Sequence, residues 1–163
     1  MHSLNSGSEL RSTSQRETAA AADALAEKLR PGDWVLLWGP MGSGKTLFVQ
    51  ALARALAVAE AHQVDSPTFT LWNHYPGGVG MDHLDLFRLG EGLGERLGAA
   101  QALDFLPLEE LLGSSTIKCV EWPELLSPWF ACMRGWHVKF SWFRDEPEAR
   151  ILRFAAQEGE HAS

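Results

Sequence analysis

Residues Gly39-Pro-Met-Gly-Ser-Gly-Lys-Thr46 follow the pattern G-x-x-x-x-G-K-T, a set of residue types suited to holding a polyphosphate. Glycines at 39, 42 and 44 free the backbone to turn successive N–H groups inward around phosphate oxygens, with Pro40, Met41 and Ser43 between them. Lys45 brings a point charge for the outer phosphates and Thr46 a hydroxyl for a magnesium ion. A helix beginning at Lys45 would add its N-terminal dipole. A purine nucleoside triphosphate is therefore the expected ligand.

Binding is not yet chemistry. Hydrolysis or transfer also needs an acid near the magnesium and a group that places the nucleophile. Two carboxylates stand at or near the ends of predicted strands, where a parallel sheet opens its ligand crevice: Asp85 in HLDLFR and Glu121 in KCVEWPE. Glu121 follows the more apolar strand. Asp82, His83 and Asp85 do not form a transition-metal cluster, because strand alternation puts Asp82 on the opposite face from the other two. Ser66-Pro-Thr-Phe-Thr70 packs three hydroxyls into five residues, either as ordinary turn chemistry or as a loop that senses the terminal phosphate. Trp122, next to Glu121, is placed to cover the nucleotide or meet a partner. Trp34 and Trp38 are expected in the core.

These groups need a scaffold. Ser14 and Glu17 form a helix-start signature, and Ala21, Leu25 and Leu29 mark one helical face before Pro31-Gly32. Trp34–Trp38 is continuously apolar, as in a strand buried on both sides, and Lys45 to Val58 has helical spacing. Extended segments are predicted at Phe69–Tyr75 and Val79–Phe87 around the Pro76-Gly77-Gly78 turn, the second half-exposed by its alternation. Short helices are read at Gly94–Phe105 and Leu108–Leu112, a strand at Thr116–Val120, and a hairpin at His137–Phe143 and Ala149–Phe154. The expected fold is a three-layer α/β phosphate-loop domain with a mainly parallel sheet plus antiparallel hairpin strands. Residues 1–14 read as a flexible tail, 15–155 as one domain and 156–163 as a frayed end.

The chain has 163 residues, 45% of them apolar, enough for one core. No run of about 18 apolar residues occurs, and MHSLNSGSEL lacks a signal-like core; the expectation is a cytoplasmic protein away from membranes. Cys119 and Cys132 lack metal-ligand spacing and read as reduced core thiols. Fourteen Lys and Arg against 21 Asp and Glu give a formal charge of -7, which opposes autonomous binding to nucleic acid.

Four stretches taken together, ETAAAADALAEKL (17–29), GPMGSGKT, SPTFTL with HLDLFRL, and VEWPE, resemble the TsaE (YjeE) family of small bacterial ATPases of tRNA threonylcarbamoyladenosine synthesis. The resemblance runs from about Ser14 to Phe154. It implies that Gly39 to Lys45 hold ATP, that Thr46 and Glu121 coordinate Mg2+, and that Asp85 supports the metal or its water. It also implies that Thr18 lies near the adenine, that Ser66 to Thr70, Thr68 included, form a switch-like loop, and that Trp122 lies beside the nucleotide. Lys45, Asp85 and Glu121 would then be catalytic. Pro40-Met41 and Leu47 depart from the family's usual GDLGAGKTT. The implied task is to bind the TsaD and TsaB proteins and reset their complex between rounds on ANN-decoding tRNAs, with tRNA touched only through that complex. The alternatives are a small-molecule kinase, which would need an arginine-rich lid where only Arg88 and Arg96 occur between Val58 and Lys118, and a nucleotide-dependent binding switch with little hydrolysis.

Overall fold

The apolar runs assemble into one seven-stranded sheet in a computed structural model that describes residues 4–90, 101 and 103–159. In chain order the elements are β1 (Glu9–Ser12), α1 (Gln15–Ala26), β2 (Trp34–Trp38), α2 (Lys45–Ala55), β3 (Trp72–Tyr75), β4 (Met81–Asp85), α3 (Leu108–Gly113), β5 (Ile117–Glu121), β6 (Gly135–Phe143) and β7 (Glu146–Gln157). The 3-10 segment Pro123–Cys132 links β5 to β6. The sheet order is β1-β7-β6-β2-β5-β4-β3. Its centre, β6-β2-β5-β4, is parallel, while β7, β1 and β3 add antiparallel flanks. This is the expected fold class.

Two apolar layers sandwich the sheet. One face carries Val35, Leu37, Cys119, Val138 and Phe140 against Leu25 of α1 and Phe48 and Leu52 of α2. The other carries Leu36, Leu84 and Val120 against Leu103, Leu111 and Leu126. Covered on both sides, β2 is apolar throughout, as a central parallel strand must be. Ser14 caps α1 by accepting from the Glu17 amide at 3.2 Å, as read from the sequence, while the Glu17 carboxylate reaches one residue past the cap and accepts from the Thr13 amide at 2.6 Å.

Several expectations are corrected. The tail of residues 1–14 is not wholly outside the fold: Glu9–Ser12 pairs with β7, and Leu4 is buried, because the last strand would otherwise leave a free edge. Strand β7 runs to Gln157, whose side-chain amide donates to the Met133 carbonyl at 2.8 Å, so residues 156 and 157 belong to the sheet rather than to the expected frayed end. The segment from Phe69 reaches strand form only at Trp72, since Leu71 has φ 66° and its amide closes a turn onto Pro67. Strand β4 is buried along its whole length rather than half-exposed; its polar side chains are interior because they find partners there. Cys132 is exposed while Cys119 is buried, where desolvation pushes its thiol pKa up. Trp34 is buried and Trp38 half-buried, its indole N–H bonded to His137 Nδ1 at 3.0 Å. Most of the helix expected at Gly94–Phe105 falls outside the described residues. No described helix is long and apolar enough to cross a membrane.

Candidate phosphate-binding and metal site

Strand β2 hands the chain to the glycine loop beside β6. A Cβ on Gly39 would lie 2.8 Å from the Phe140 carbonyl oxygen, so only glycine lets the loop pass so close to the neighbouring strand. Gly44, at φ 101°, makes the left-handed entry into α2, the conformation that costs a side chain most. Lys45 then folds back over the loop. Its Nζ donates to the carbonyls of Gly39 and Pro40, both at 2.9 Å, and stands 4.2 Å from the centroid of the Trp122 ring. Burial lowers the lysine pKa, while the Glu121, Asp85 and Glu124 carboxylates act in the opposite direction. A cation held this way gains strongly from an incoming anion. The buried Ser43 hydroxyl has no hydrogen-bond partner among the described residues.

The acids arrive from the adjoining strands. Asp85 and Glu121 are register partners at the ends of parallel β4 and β5, so they present carboxylates side by side on the α2 face. Thr46 Oγ1 donates to Glu121, at 2.9 and 3.2 Å from its two oxygens. Behind it, the fully buried His83 places Nε2 3.0 Å from Glu121 Oε1. An ionised carboxylate only accepts, so toward an ionised Glu121 the contact would be donated by an Nε2–H of His83; His83 Nδ1 has no partner among the described residues. Asp85 is occupied differently. Its Oδ2 accepts from Ser66 and from Thr68, the latter at 2.8 Å, and its Oδ1 from the Phe87 amide at 3.0 Å. The serine-threonine loop is thereby tied to the end of β4.

A cavity of about 400 Å³ opens over these groups, with Gly42, Gly44, Lys45, Thr46, Thr68, Asp85, Glu121 and Trp122 among its lining residues. Met41 also lines it and is largely exposed, and Trp122 is turned into it by a left-handed φ of 59°. Thr18 stands apart. It is buried at the start of α1, and its hydroxyl lies 2.8 Å from that of Ser12. Phe87, which packs 4.9 Å from Trp122, and His83 were missed as site residues. For His83 the signal was present, since two-residue alternation puts it on the same face as Asp85.

The donor set suits magnesium. Thr46 and Glu121 offer hard oxygens, and this ion commonly takes one or two protein ligands and completes its shell with phosphate and water. Among the described residues no group of three or more His, Cys, Asp and Glu side chains is arranged to hold a metal ion by itself.

Parallel strands, a glycine loop leading into a helix, and acids at the ends of two adjacent strands define a phosphate-loop α/β protein. Residues 12–151 match the family described as "Threonylcarbamoyl adenosine biosynthesis protein TsaE". The chain belongs to that family, whose members take part in tRNA threonylcarbamoyladenosine biosynthesis. It is 43% identical over 77 residues to the tRNA threonylcarbamoyladenosine biosynthesis protein TsaE of Aquifex aeolicus, covering 47% of this chain and 58% of the relative. It is 34% identical over 117 residues to the protein of the same name from Bacillus subtilis, covering 71% of this chain and 66% of the relative. The chain thus spans less than two thirds of the length of either relative. The crystal structure of Bacillus subtilis YdiB has the same fold, with a TM-score of 0.63 at 24% identity over 94% of this chain and 88% of that one.

Proposed function

We propose that the protein is a Mg2+-dependent ATPase that serves tRNA threonylcarbamoyladenosine synthesis by binding the TsaD and TsaB proteins and resetting their complex. The observation that carries the reading is the Thr46–Glu121 contact beside a buried Lys45 at the mouth of the glycine loop. In this reading the loop amides and Lys45 hold the β- and γ-phosphates, and Lys45 stabilises the charge that gathers on the transferred phosphoryl group. Thr46 and Glu121 hold the magnesium ion, which when bound neutralises phosphate charge. His83 keeps the Glu121 carboxylate turned toward Thr46. Asp85 orients the attacking water once its serine-threonine partners move. The tether from Ser66 and Thr68 to Asp85 makes that loop responsive to a terminal phosphate, because a phosphate competes with Asp85 for the same hydroxyl donors.

The negative balance of the chain supports contact with tRNA only through its partners. The test is ATP turnover of the wild type, Lys45→Ala and Glu121→Ala, each alone and with TsaD and TsaB. Stimulated hydrolysis by the wild type and its loss, by at least about 100-fold, in both variants is expected. Full tRNA modification supported by either variant would sink the mechanism. Association with TsaD and TsaB that is indifferent to ATP against ADP would count against the resetting role.

A further inference from the structure

Helices α1 and α2 cover one face of the β6–β7–β1 half of the sheet, where Val138, Phe140 and Leu152 join their apolar layer. On the other face the apolar layer includes Trp38 and Phe130 but, among the described residues, nothing from β6, β7 or β1. A cavity of about 590 Å³ opens there, with Ser8, Glu9, Trp38, His137, Lys139 and Arg153 among its lining residues. It shares no lining residue with the phosphate cavity.

Register brings four of these side chains into line. Trp38 of β2 pairs with Lys139 of β6, Lys139 with Arg153 of β7, and Arg153 with Glu9 of β1; paired residues share a face. The charges in this row do not cancel. Arg153 Nε donates to Glu9 at 2.6 Å, while the exposed Lys139 has no carboxylate within ion-pair distance among the described residues. Two cations directly opposite each other, with Cβ atoms about 5 Å apart, weaken a ladder. An anion lying between them turns that repulsion into two charge-assisted contacts. In a chain of formal charge -7, this row is a positive island.

Beside the cations stands a fixed aromatic wall. The Trp38 indole N–H only donates, so His137 Nδ1 accepts it, at 3.0 Å. The two rings lie nearly parallel with centroids 5.7 Å apart, and Phe130 packs against the indole at 76°. His137 is braced in turn by Gln157. A further donor lies at the cavity edge: Ser8 Oγ accepts from the Asn5 amide at 2.9 Å, which leaves its O–H to give.

We propose that this cavity binds an aromatic ring carrying an oxyanion, a carboxylate or a phosphate monoester, independently of the triphosphate site. The oxyanion bridges Lys139 and Arg153, and the ring lies against Trp38. The volume is that of a small-molecule site.

The test follows the indole N–H signals by NMR of the full chain during titration with benzoate and with phenyl phosphate, benzyl alcohol serving as the uncharged control. The chain has seven tryptophans, and Trp38→Phe assigns the signal of interest. At least one of the anions should move the Trp38 signal to saturation with a Kd of about 1–10 mM, and the tighter of the two identifies the oxyanion. Lys139→Gln should weaken that binding about ten-fold. Glu9→Gln should tighten it about three-fold by releasing Arg153, and melting curves confirm the fold of each variant. An unmoved Trp38 signal, or a shift that benzyl alcohol reproduces or Lys139→Gln leaves intact, would overturn the site. Movement of the Trp122 signal alone would put the anion in the glycine loop and overturn it equally.

Discussion

Two buried lysines occupy opposite ends of the same sheet. Lys45 lies at the ends of β4 and β5 and is 4% exposed; Lys118 lies near their beginnings and is fully buried. Burial lowers the pKa of both, and carboxylates on neighbouring segments oppose it in both: Glu121, Asp85 and Glu124 for Lys45, Asp82 and Asp33 for Lys118. Each ammonium has backbone carbonyl acceptance and an indole ring nearby, two carbonyls for Lys45 and one for Lys118, Ser114 O at 2.5 Å with the Trp34 ring at 5.6 Å. The difference is in the surroundings. Asp82 spends one oxygen on the Trp72 indole at 3.0 Å and the His74 ring at 2.9 Å, and the other on Thr116. Asp33 accepts from the Arg30 amide at 2.8 Å and from Arg134 Nε at 2.6 Å. The lower cluster is satisfied by protein alone. The upper one borders a cavity, leaves Ser43 and His83 Nδ1 without partners among the described residues, and holds its lysine on loop carbonyls that a phosphate can replace. The same chemical materials make a staple where every group is matched and a receptor where some are not.

That contrast predicts opposite responses to similar substitutions. The largest effect is on ligand binding: Lys45→Met should weaken triphosphate binding at least about 100-fold, while Lys118→Met leaves the affinity within about three-fold. Titration calorimetry reads both, and equal losses would abolish the distinction.

Next comes stability. Asp82→Ala strips partners from Trp72, His74, Thr116 and Lys118 and should cost about 3 kcal/mol, roughly 6–12 °C in melting temperature. Lys45→Met removes a desolvated charge and should raise the melting temperature of the ligand-free protein by about 2 °C or more. A fall on Lys45→Met would show that the loop lysine is part of the staple class after all.

The pH dependence sharpens the point. A lysine whose pKa is lower folded than unfolded is protonated more readily in the unfolded chain. Its destabilising contribution is full below the folded value and fades as pH rises through that value toward the unfolded one near 10.5. The stability advantage of Lys45→Met should therefore shrink between pH 7 and pH 10, and melting curves of the pair at both values check it. A gap that widens with pH would contradict the burial argument. The smallest effect is on the loop: Thr68→Val deletes one donor to Asp85 and should cost about 1 kcal/mol of stability, read by urea denaturation.

Much of the site could be read from residue types because its chemistry depends on local spacing. GPMGSGKT dictates its own turn, and two-residue alternation correctly separated Asp82 from His83 and Asp85. The strand order was less legible. Nothing in residues 9–12 announces a strand, since ELRS is too short and polar to show a period, and its strand form comes from pairing with β7, a tertiary contact. For the same reason β4 looked half-exposed: its alternation is real, but buried partners reclaim the polar side chains.

The β1–β7 ladder also orders events during synthesis. Glu9 lies opposite Arg153, and their side chains meet across 144 residues of chain. Strand β1 must wait until almost everything else has left the ribosome, and contacts so distant in sequence form slowly. Strand β6, which supplies the floor under Gly39, is also late. The glycine loop is made early, yet its receptor geometry comes last. A nascent chain stalled before residue 135 would carry the whole phosphate-loop motif without the neighbouring strand that shapes it.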